Sequence, residues 1–357
     1  MSNIKIKRFI ECLIPVTACN LKCEYCYVMQ ENRRKNEIPK FTLSPEQIAL
    51  ALSPERMGGV CYISICGAGE TLIPLDVLPI ALELLKEGHY INITTNGTLS
   101  KRFEELSNFP TDCLHRMHFA FSLHYLELKD KGLLDVFVNN VKLVHLLGCS
   151  FVVQTNLYDG YIPYWDEIKD FCISNFNAPP QVAATRLEGK TMELYTALSK
   201  AEYIRIGEKM NSPLFEYTIK NFGHKQREFC YAGDWAFLLN LCSGEASKCY
   251  NLRPFTNIYK DLKAPIKLEA IGKGCPCQYC INSSHFMSLG CIPSIDGPSY
   301  ASLRNREEAD WYTPEMKAFL SQRLGAMNKE YSVTKKLFVE IKRKIKYRLR
   351  RFQRSRH

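Results

Sequence analysis

The stretch FIECLIPVTACNLKCEYC, residues 9–26, joins an apolar run to three closely spaced cysteines. Residues 9–16 have the β-branched and aromatic content of a buried strand. Cys19, Cys23 and Cys26 follow directly, separated by three and then two residues. Three uses of such a group compete: a zinc knuckle, part of a disulfide framework, or ligation of an iron–sulfur cluster.

The bulk composition is typical of a globular protein. The chain has 357 residues, 46% hydrophobic and 24% charged, with 16 cysteines. No apolar run reaches the roughly 18 residues of a membrane-spanning helix. Glu11 and Pro15 interrupt the apolar run near the start, which disfavours a signal peptide. We therefore expect a cytoplasmic, reducing location, in which the thiols are metal ligands or free.

Strand-like and helical segments alternate over the first two hundred residues. Six apolar, strand-like runs occur, at 9–16, 60–66, 90–95, 117–123, 150–156 and 181–186. Segments with helical periodicity separate them, a pattern that predicts an α/β fold with parallel strands and helices outside. The six units fit an open doubly wound sheet or a partial (β/α)6 TIM-like barrel. Both place chemistry at the carboxyl ends of the strands.

The first cysteine group favours iron over zinc. Zinc sites usually take their four ligands from two separated pairs, whereas here one loop carries three cysteines with no fourth nearby. A loop that supplies three thiolates to a four-iron cluster leaves one iron open to another ligand. The group also follows the first predicted strand directly, where a barrel enzyme would place its chemistry.

The motif Cys19-x3-Cys23-x2-Cys26, with Tyr25 and Tyr27 beside its last cysteine, resembles that of the radical S-adenosylmethionine (radical SAM) superfamily. The resemblance implies that these cysteines bind a [4Fe-4S] cluster whose fourth iron chelates SAM. It also implies reductive cleavage of SAM to a 5′-deoxyadenosyl radical, which abstracts hydrogen from an unactivated C–H bond. An electron donor such as flavodoxin or ferredoxin would then be a partner.

Further residues at successive strand ends resemble the SAM contacts of that family. The implied contacts are Tyr25, Tyr27, Gly67, Ala68, Gly69, Glu70, Thr95, Asn96, Ser122, Asn156 and Arg186. Small residues in the glycine-rich segment let backbone carbonyls approach a cationic amine, and Glu70 can add negative charge. An ordinary strand-to-helix turn would look similar. Arg186 could equally contact substrate or form a surface salt bridge.

A second group of cysteines follows the predicted barrel. Cys230 precedes Gly244 by thirteen intervening residues, Cys249 follows Gly244 after four, and Cys277-x2-Cys280 lies further on. This spacing resembles the SPASM and shorter twitch modules, which carry auxiliary clusters. The resemblance implies an auxiliary [4Fe-4S] cluster held by these four cysteines. A four-cysteine zinc site would need the same thiolates.

The remaining cysteines of this region allow more than one assignment of cluster ligands and hydrogen donors. Cys275 could replace Cys277 as a ligand. Only Cys291 follows Cys280, at a distance that departs from the full SPASM pattern and favours the twitch-like form. Cys242 and Cys291 are therefore spare, and either could donate a hydrogen atom to a substrate radical. A donor predicts epimerisation, whereas electron transfer to the auxiliary cluster predicts oxidation.

The charge of the chain is concentrated in its tail. Residues 335–357 contain eleven Lys or Arg and one acidic residue, so this segment carries the whole net charge of +10. Apolar residues recur on one helical face: Leu337, Ile341, Ile345, Leu349 and Phe352. The pattern predicts a basic amphipathic C-terminal helix on an anionic membrane surface at the inner face. A solvated basic tail and an RNA contact are the alternatives.

We divide the chain into a radical SAM core (1–205), a twitch- or SPASM-like module (206–300), a helical linker (301–333) and the basic tail (334–357). Few residues precede Cys19, so no leader-peptide-binding domain is expected, which favours a sugar-like or lipid-linked saccharide substrate. A peptide- or protein-modifying enzyme of this superfamily is the alternative. A zinc-stapled nucleic-acid-binding protein is the non-enzymatic one. The neutral body of the chain disfavours nucleic acid as a partner.

Overall fold

The structure is a computed structural model that describes residues 4–187, 193–223, 225, 227–250, 252–275, 280 and 282–354. For 283 and 346–354 it describes the main chain only. Cys277, a predicted ligand of the auxiliary cluster, lies outside the described residues.

Six parallel strands form the centre of the fold. They are β1 (Arg8–Ile14), β2 (Cys61–Gly67), β3 (Tyr90–Thr95), β4 (Met117–Ser122), β5 (Ser150–Leu157) and β6 (Gln181–Ala184). They lie side by side in sequence order, each parallel to the next. This confirms the predicted α/β fold with a parallel sheet, and the strand order is that of a partial (β/α)6 barrel. A two-stranded antiparallel pair follows, β7 (Arg186–Leu187) and β8 (Glu193–Leu194).

Helices occupy most of the segments between and after these strands. Those up to β6 are α1 (Tyr27–Gln30), α2 (Pro45–Ala51), α3 (Pro54–Met57), α4 (Val77–Lys86), α5 (Ser100–Glu104), α6 (Thr111–Leu114), α7 (Tyr125–Asp130), α8 (Leu134–Leu146) and α9 (Trp165–Phe176). The later ones are α10 (Lys200–Glu208), α11 (Pro213–Asn221), α12 (Tyr300–Arg304), α13 (Pro314–Leu320) and α14 (Val333–Arg354). In the described part of the chain, no helix is long and apolar enough to cross a membrane.

Local signals in the sequence fix several helix ends. Ser44 and Gln47 form a reciprocal capping box at the start of α2. Gly88 and Gly148 follow α4 and α8 with φ of 90° and 86°, a left-handed conformation that suits glycine and stops each helix.

Alternation along the strands separates an outer face from an inner face. On β4, Phe119 and Phe121 pack against Phe103 of α5, and Phe121 also meets Phe137 of α8 edge to face at 5.8 Å. Side chains two residues apart in a strand point to the same face, so the intervening position, Ala120, points to the inner side. The apolar residues of the strands therefore bind the helices, and the other positions line the interior of the sheet.

The inner face carries a row of buried polar side chains. Glu11, Ser64, Asn92 and His118 lie at matching positions on β1 to β4. The Asn92 amide donates to Ser64 Oγ at 2.9 Å, and Asn92 Oδ1 lies 2.7 Å from His118 Nδ1. Burial lowers the pKa of His118 to about 3, so its ring is neutral near pH 7. These residues close the interior beneath the carboxyl ends of the strands.

The sheet continues into the predicted second module. Strand β9 (Ala236–Asn240) pairs parallel with β1, and β10 (Glu245–Ser247) and β11 (Thr256–Asn257) extend the sheet antiparallel beyond it. The resulting order is β11-β10-β9-β1-β2-β3-β4-β5-β6. One sheet thus contains strands from both sides of residue 205, where the predicted core ends. That domain boundary stays a prediction.

Residues 301–333 pack against the amino ends of the strands. The backbone N–H of Phe151 donates to Trp311 O at 2.9 Å, and the Trp311 indole donates to Phe176 O at 2.9 Å. The ring of Phe319 in α13 stacks on Tyr90 with centroids 3.6 Å apart. The segment predicted to be a linker therefore forms part of the core beneath the sheet.

Candidate active site

The loop after β1 brings the three motif cysteines together. Cys23 is buried, whereas Cys19 and Cys26 are partly exposed. The Arg34 guanidinium holds the loop from below by donating to the carbonyls of Leu21, at 2.7 Å, and of Cys19. Each of the three thiols interacts electrostatically with the other two.

The chemistry of this loop fits an iron–sulfur cluster. Burial raises the pKa of the Cys19 and Cys23 thiols, so an added cation would be needed to stabilise them as thiolates. Across the described residues, no group of three or more His, Cys, Asp or Glu side chains is arranged so that it could hold a metal ion, and this includes the three motif cysteines. The loop therefore supplies three neighbouring soft donors, as a cluster requires, without a preformed coordination geometry.

Glu70 connects the glycine-rich turn to the end of β3. Its side chain is buried and accepts from Thr95 Oγ1 at 2.7 Å, from the Asn96 N–H at 2.7 Å and from the Leu72 N–H at 3.0 Å. Burial raises the pKa of Glu70, while these three hydrogen bonds favour its ionised form. Because both carboxylate oxygens are engaged, the side chain orients the turn at Thr95 and Asn96.

The turns after β2 and β3 lie directly against the cysteine loop. The Glu70 N–H donates to Ala18 O at 2.9 Å, and a Cβ on Gly69 would lie only 2.2 Å from that same oxygen. Glycine is therefore required for this approach. The Asn96 amide donates to Asn20 Oδ1 at 2.8 Å and lies 3.9 Å from Cys19 Sγ. The structure thus brings three separately predicted segments into one place.

The two tyrosines beside Cys26 have different surroundings. The Tyr25 hydroxyl is buried, 2.6 Å from His124 Nδ1 and 3.0 Å from the Tyr161 hydroxyl. Tyr27 is exposed, with the Arg33 guanidinium 5.3 Å from its ring centre. Tyr25 therefore anchors the loop to the barrel, and Tyr27 lies at its surface.

Later strands contribute partly exposed polar groups to the inner face. Ser122 of β4 is paired in register with Gln154 of β5, and Asn156 of β5 with Ala183 of β6. These positions are less buried than the polar row beneath them, so they line an accessible part of the interior. Arg186 lies just beyond β6, where its charge acts on the Cys280 thiol and on His285.

A second group of thiols gathers beside β9. Cys230, Cys249, Cys275, Cys280 and Cys291 are linked by electrostatic interactions in which each takes part. Burial raises the pKa of Cys280 to about 12 and also raises the pKa of Cys249 and Cys291. Three of the four predicted auxiliary ligands therefore influence one another electrostatically, as do Cys275 and Cys291. In the part of the chain that the structure describes, these thiols are not arranged so that three or more could hold a metal ion.

The two candidate hydrogen donors have different surroundings. Cys291 is buried beside this second group of thiols, and its carbonyl accepts from the Tyr231 N–H at 2.8 Å. Cys242 follows β9 on its other side: its carbonyl accepts from Thr42, and Tyr259 interacts with both Cys242 and the outward-facing Cys12. Hydrogen donation by either cysteine stays a prediction.

Glu11 forms a bridge between β1 and the second cysteine group that the sequence pattern did not predict. Glu11, 4% exposed, accepts hydrogen bonds from the Tyr250 hydroxyl and from the Asn282 amide, the latter at 3.3 Å. Tyr250 follows Cys249 directly, and Asn282 follows Cys280 by two residues. A single acidic residue inside an otherwise apolar strand was the available signal.

Comparison with known proteins finds a family match over the part of the chain that contains the first site. Residues 13–171 match the family model described as Radical SAM superfamily. Streptococcus suis SuiB bound to S-adenosylmethionine is similar in structure, with 17% identity and a TM-score of 0.52, over 72% of this chain and 64% of SuiB. SuiB bound to precursor peptide SuiA is also similar, with 19% identity and a TM-score of 0.49, over 73% of this chain and 64% of that one. So is hexahistidine-tagged anSMEcpe with bound AdoMet, with 15% identity and a TM-score of 0.48, over 71% of this chain and 76% of that one.

These matches cover only part of this chain and part of the similar proteins. The family match shows a radical SAM domain over residues 13–171, which contains the cysteine loop, the glycine-rich turn and the Thr95–Asn96 turn. The similarity to SuiB establishes a common fold, and this chain spans less than two thirds of the length of SuiB. Among curated proteins, none matches the sequence with significance.

Proposed function

We propose that the protein is a radical SAM enzyme whose cluster is held by Cys19, Cys23 and Cys26. The observation that carries the proposal is the contact of this loop with the turns after β2 and β3, through Glu70 and Asn96. When bound, the cluster and SAM supply a radical that abstracts hydrogen from an unactivated C–H bond. An electron donor such as flavodoxin or ferredoxin would be the partner for reduction.

In this scheme, the residues of the protein bind SAM and orient it. Gly67, Ala68 and Gly69 pack closely against the end of β1 and the cysteine loop. Their N–H groups donate to Thr71 Oγ1, Ile14 O and Val16 O, so their carbonyls are the proposed SAM contacts. Glu70 holds the Thr95–Asn96 turn in position, and buried Tyr25 excludes water behind the loop. Ser122, Asn156 and Arg186 complete the proposed set of contacts from β4, β5 and the segment after β6.

We further propose an auxiliary [4Fe-4S] cluster in a twitch-like module. Its ligands would include Cys230, Cys249 and Cys280, with the sequence pattern offering Cys277 or Cys275 as the fourth. The mutual electrostatic interactions of the described members of this set support the proposal. Four protein ligands would leave such a cluster no open coordination site, so electron transfer with the substrate radical is its proposed role. That role predicts oxidation of the substrate; a thiol donor would instead give epimerisation.

The lining of the inner face supports a sugar-like or lipid-linked saccharide as substrate. Its partly exposed positions are mostly small or neutral hydrogen-bonding residues: Cys66, Thr94, Ala120, Ser122, Gln154, Asn156 and Ala183. Neutral donors and acceptors of this kind suit the hydroxyl groups of a polyol. A peptide substrate is the alternative, since the structurally similar SuiB binds the precursor peptide SuiA.

We propose that α14 lies on an anionic membrane at the cytoplasmic face. Its apolar residues Leu337, Ile341 and Ile345 are 59%, 47% and 53% exposed, with Lys and Arg between them. The other side of the helix docks on the second module: Val339 is buried, and Glu340 accepts from the Lys273 N–H at 2.7 Å. The exposed apolar face flanked by positive charge supports interfacial binding.

The enzyme assignment is tested by cofactor cleavage. Simultaneous replacement of Cys19, Cys23 and Cys26 by Ala should abolish 5′-deoxyadenosine formation after anaerobic reconstitution with iron, sulfide and a strong reductant. About four irons per chain should remain in the second cysteine group. Cys172→Ala, a buried cysteine of α9 away from both groups, is the matched control and should retain cleavage. Bound zinc without charge-transfer absorbance, or formation of 5′-deoxyadenosine by the triple variant, would contradict the proposal.

A further inference from the structure

We propose that the first turn of α7 fixes the position of Cys23, through the side chains of His124 and Glu127. Both are positioning residues, because they act on the cysteine loop and not on SAM or substrate. The inference rests on the proposed function, in which this loop holds the cluster that cleaves SAM. It adds two residues that the cysteine motif does not contain.

Two hydrogen bonds connect α7 to the loop, one on each side of Cys23. The Lys22 N–H donates to Glu127 Oε2 at 3.0 Å. The Tyr25 hydroxyl lies 2.6 Å from His124 Nδ1. Lys22 comes directly before Cys23, and Tyr25 follows it by two residues. His124 and Glu127 are three residues apart at the start of α7, a spacing that places two side chains on one face of a helical turn. One helical turn therefore contacts the chain before and after this cysteine.

The turn is itself fixed to the sheet. The Leu123 N–H donates to Gln154 O on β5 at 2.8 Å, and Thr155 Oγ1 donates to Leu123 O at 3.1 Å. Leu123 is buried and comes directly before His124. The Leu128 N–H closes the turn by donating to His124 O at 3.0 Å. Because the main chain around His124 is bonded to β5, its side chain can hold the loop that it contacts.

The other end of the loop depends on different partners. The Arg34 guanidinium donates to Cys19 O, and the Asn96 amide donates to Asn20 Oδ1 at 2.8 Å. Neither contact involves α7. Loss of the α7 contacts should therefore loosen the loop at Cys23 more than at Cys19.

Glu127 also brings a negative charge close to Cys23, since it accepts from the residue next to it. Burial raises the pKa of the Cys23 thiol, and the Glu127 carboxylate raises it further. A negative charge beside a cluster ligand disfavours the addition of an electron, because net charge is one determinant of the reduction potential. Replacement of the carboxylate by a neutral amide should therefore raise the midpoint potential of a cluster bound at this loop.

The first experiment needs no cluster. The full chain without iron is treated with iodoacetamide, and the alkylation rate of each thiol is measured by mass spectrometry. His124→Ala and Glu127→Ala should each speed alkylation of Cys23 by about fivefold, the change in a local opening equilibrium expected from the loss of one hydrogen bond. The rate at Cys19 should change by less than about twofold. Asp130→Ala, exposed at the end of α7, is the matched control and should leave both rates unchanged.

The second experiment uses the full chain reconstituted anaerobically with iron and sulfide. The midpoint potential is measured from the electron paramagnetic resonance signal that changes when SAM is added. Glu127→Gln should raise this potential, and Asp130→Asn should leave it unchanged. His124→Asn, which keeps a polar atom near the place of Nδ1, should restore the parental alkylation rate of Cys23.

Parental alkylation of Cys23 in both alanine variants, or equal acceleration at Cys19 and Cys23, would overturn the assignment. A potential that Glu127→Gln shifts no more than Asp130→Asn does would overturn it as well. If the alkylation rates change as expected and the loop binds no iron, the positioning role stands and the proposed function fails.

Discussion

Glu11 shows how one buried side chain joins the barrel to the second module. It lies on β1 and accepts from Tyr250 and Asn282, which flank two of the proposed auxiliary ligands. Burial raises the pKa of Glu11, and the hydrogen bonds together with nearby Arg304 oppose that effect. The carboxylate thus holds two loops of the second module against the first strand.

Removal of this carboxylate should destabilise the protein. Glu11→Ala leaves the Tyr250 hydroxyl and the Asn282 amide without their acceptor in a buried place, at a cost of about 1–3 kcal/mol each. Denaturant unfolding of the full chain measures the effect. Glu11→Gln keeps an acceptor oxygen and should lose less. Exposed Glu87→Ala is the control, expected within about 0.5 kcal/mol of the parent. Equal stability of Glu11→Ala and Glu87→Ala would contradict the anchoring role.

Helix α14 has one side docked on the second module and an opposite side that is exposed. Its docked side includes Val339, Glu340 and Lys342, the last 2.7 Å from Glu269. Its opposite side exposes Leu337, Phe338 and Ile341. The predicted apolar face therefore exists on a helix that is already attached to the second module. Leu349 and Phe352, the last members of the predicted face, lie beyond the described side chains.

Membrane docking is tested by co-sedimentation with vesicles. The full chain should pellet with phosphatidylglycerol-rich vesicles at low salt, and a chain ending after Ser332 should not. Each basic residue near an anionic surface contributes about 1 kcal/mol, so high salt should weaken the binding. Combined replacement of Leu337, Ile341 and Ile345 by Ser keeps the charge and the docked side, and it should weaken binding as well. Equal pelleting of the full and truncated chains would refute docking and weaken the case for a lipid-linked substrate.

At the scale of the whole molecule, the barrel and the segments that follow it form one core. Strand β9 covers the edge of β1, and Trp311 packs on Phe151 with ring centres 5.3 Å apart. Both contacts join residues far apart in sequence. An open strand edge and uncovered aromatic rings favour association of a shortened chain.

A fragment of residues 1–205 should consequently fail to fold independently. It retains the six parallel strands but loses β9 and the residues that cover the amino ends of the sheet. We expect no cooperative thermal transition by circular dichroism, and strong binding of a hydrophobic dye, whereas the full chain should unfold cooperatively. A sharp, reversible transition in the fragment would show that the predicted core is an autonomous domain.

The sequence by itself determined the six parallel strands, the capped helices between them, the first cysteine loop and the amphipathic tail helix. Each depends on periodicity or spacing within a short segment. Such patterns indicate a strand or a helix because side chains repeat every two residues in a strand and every 3.6 in a helix. The tertiary structure alone decided that β9 pairs with β1, that Glu11 bridges to Tyr250, and that the Tyr231 N–H donates to Cys291 O. These contacts join residues 60 to 239 positions apart, and such pairings follow from how the whole chain packs.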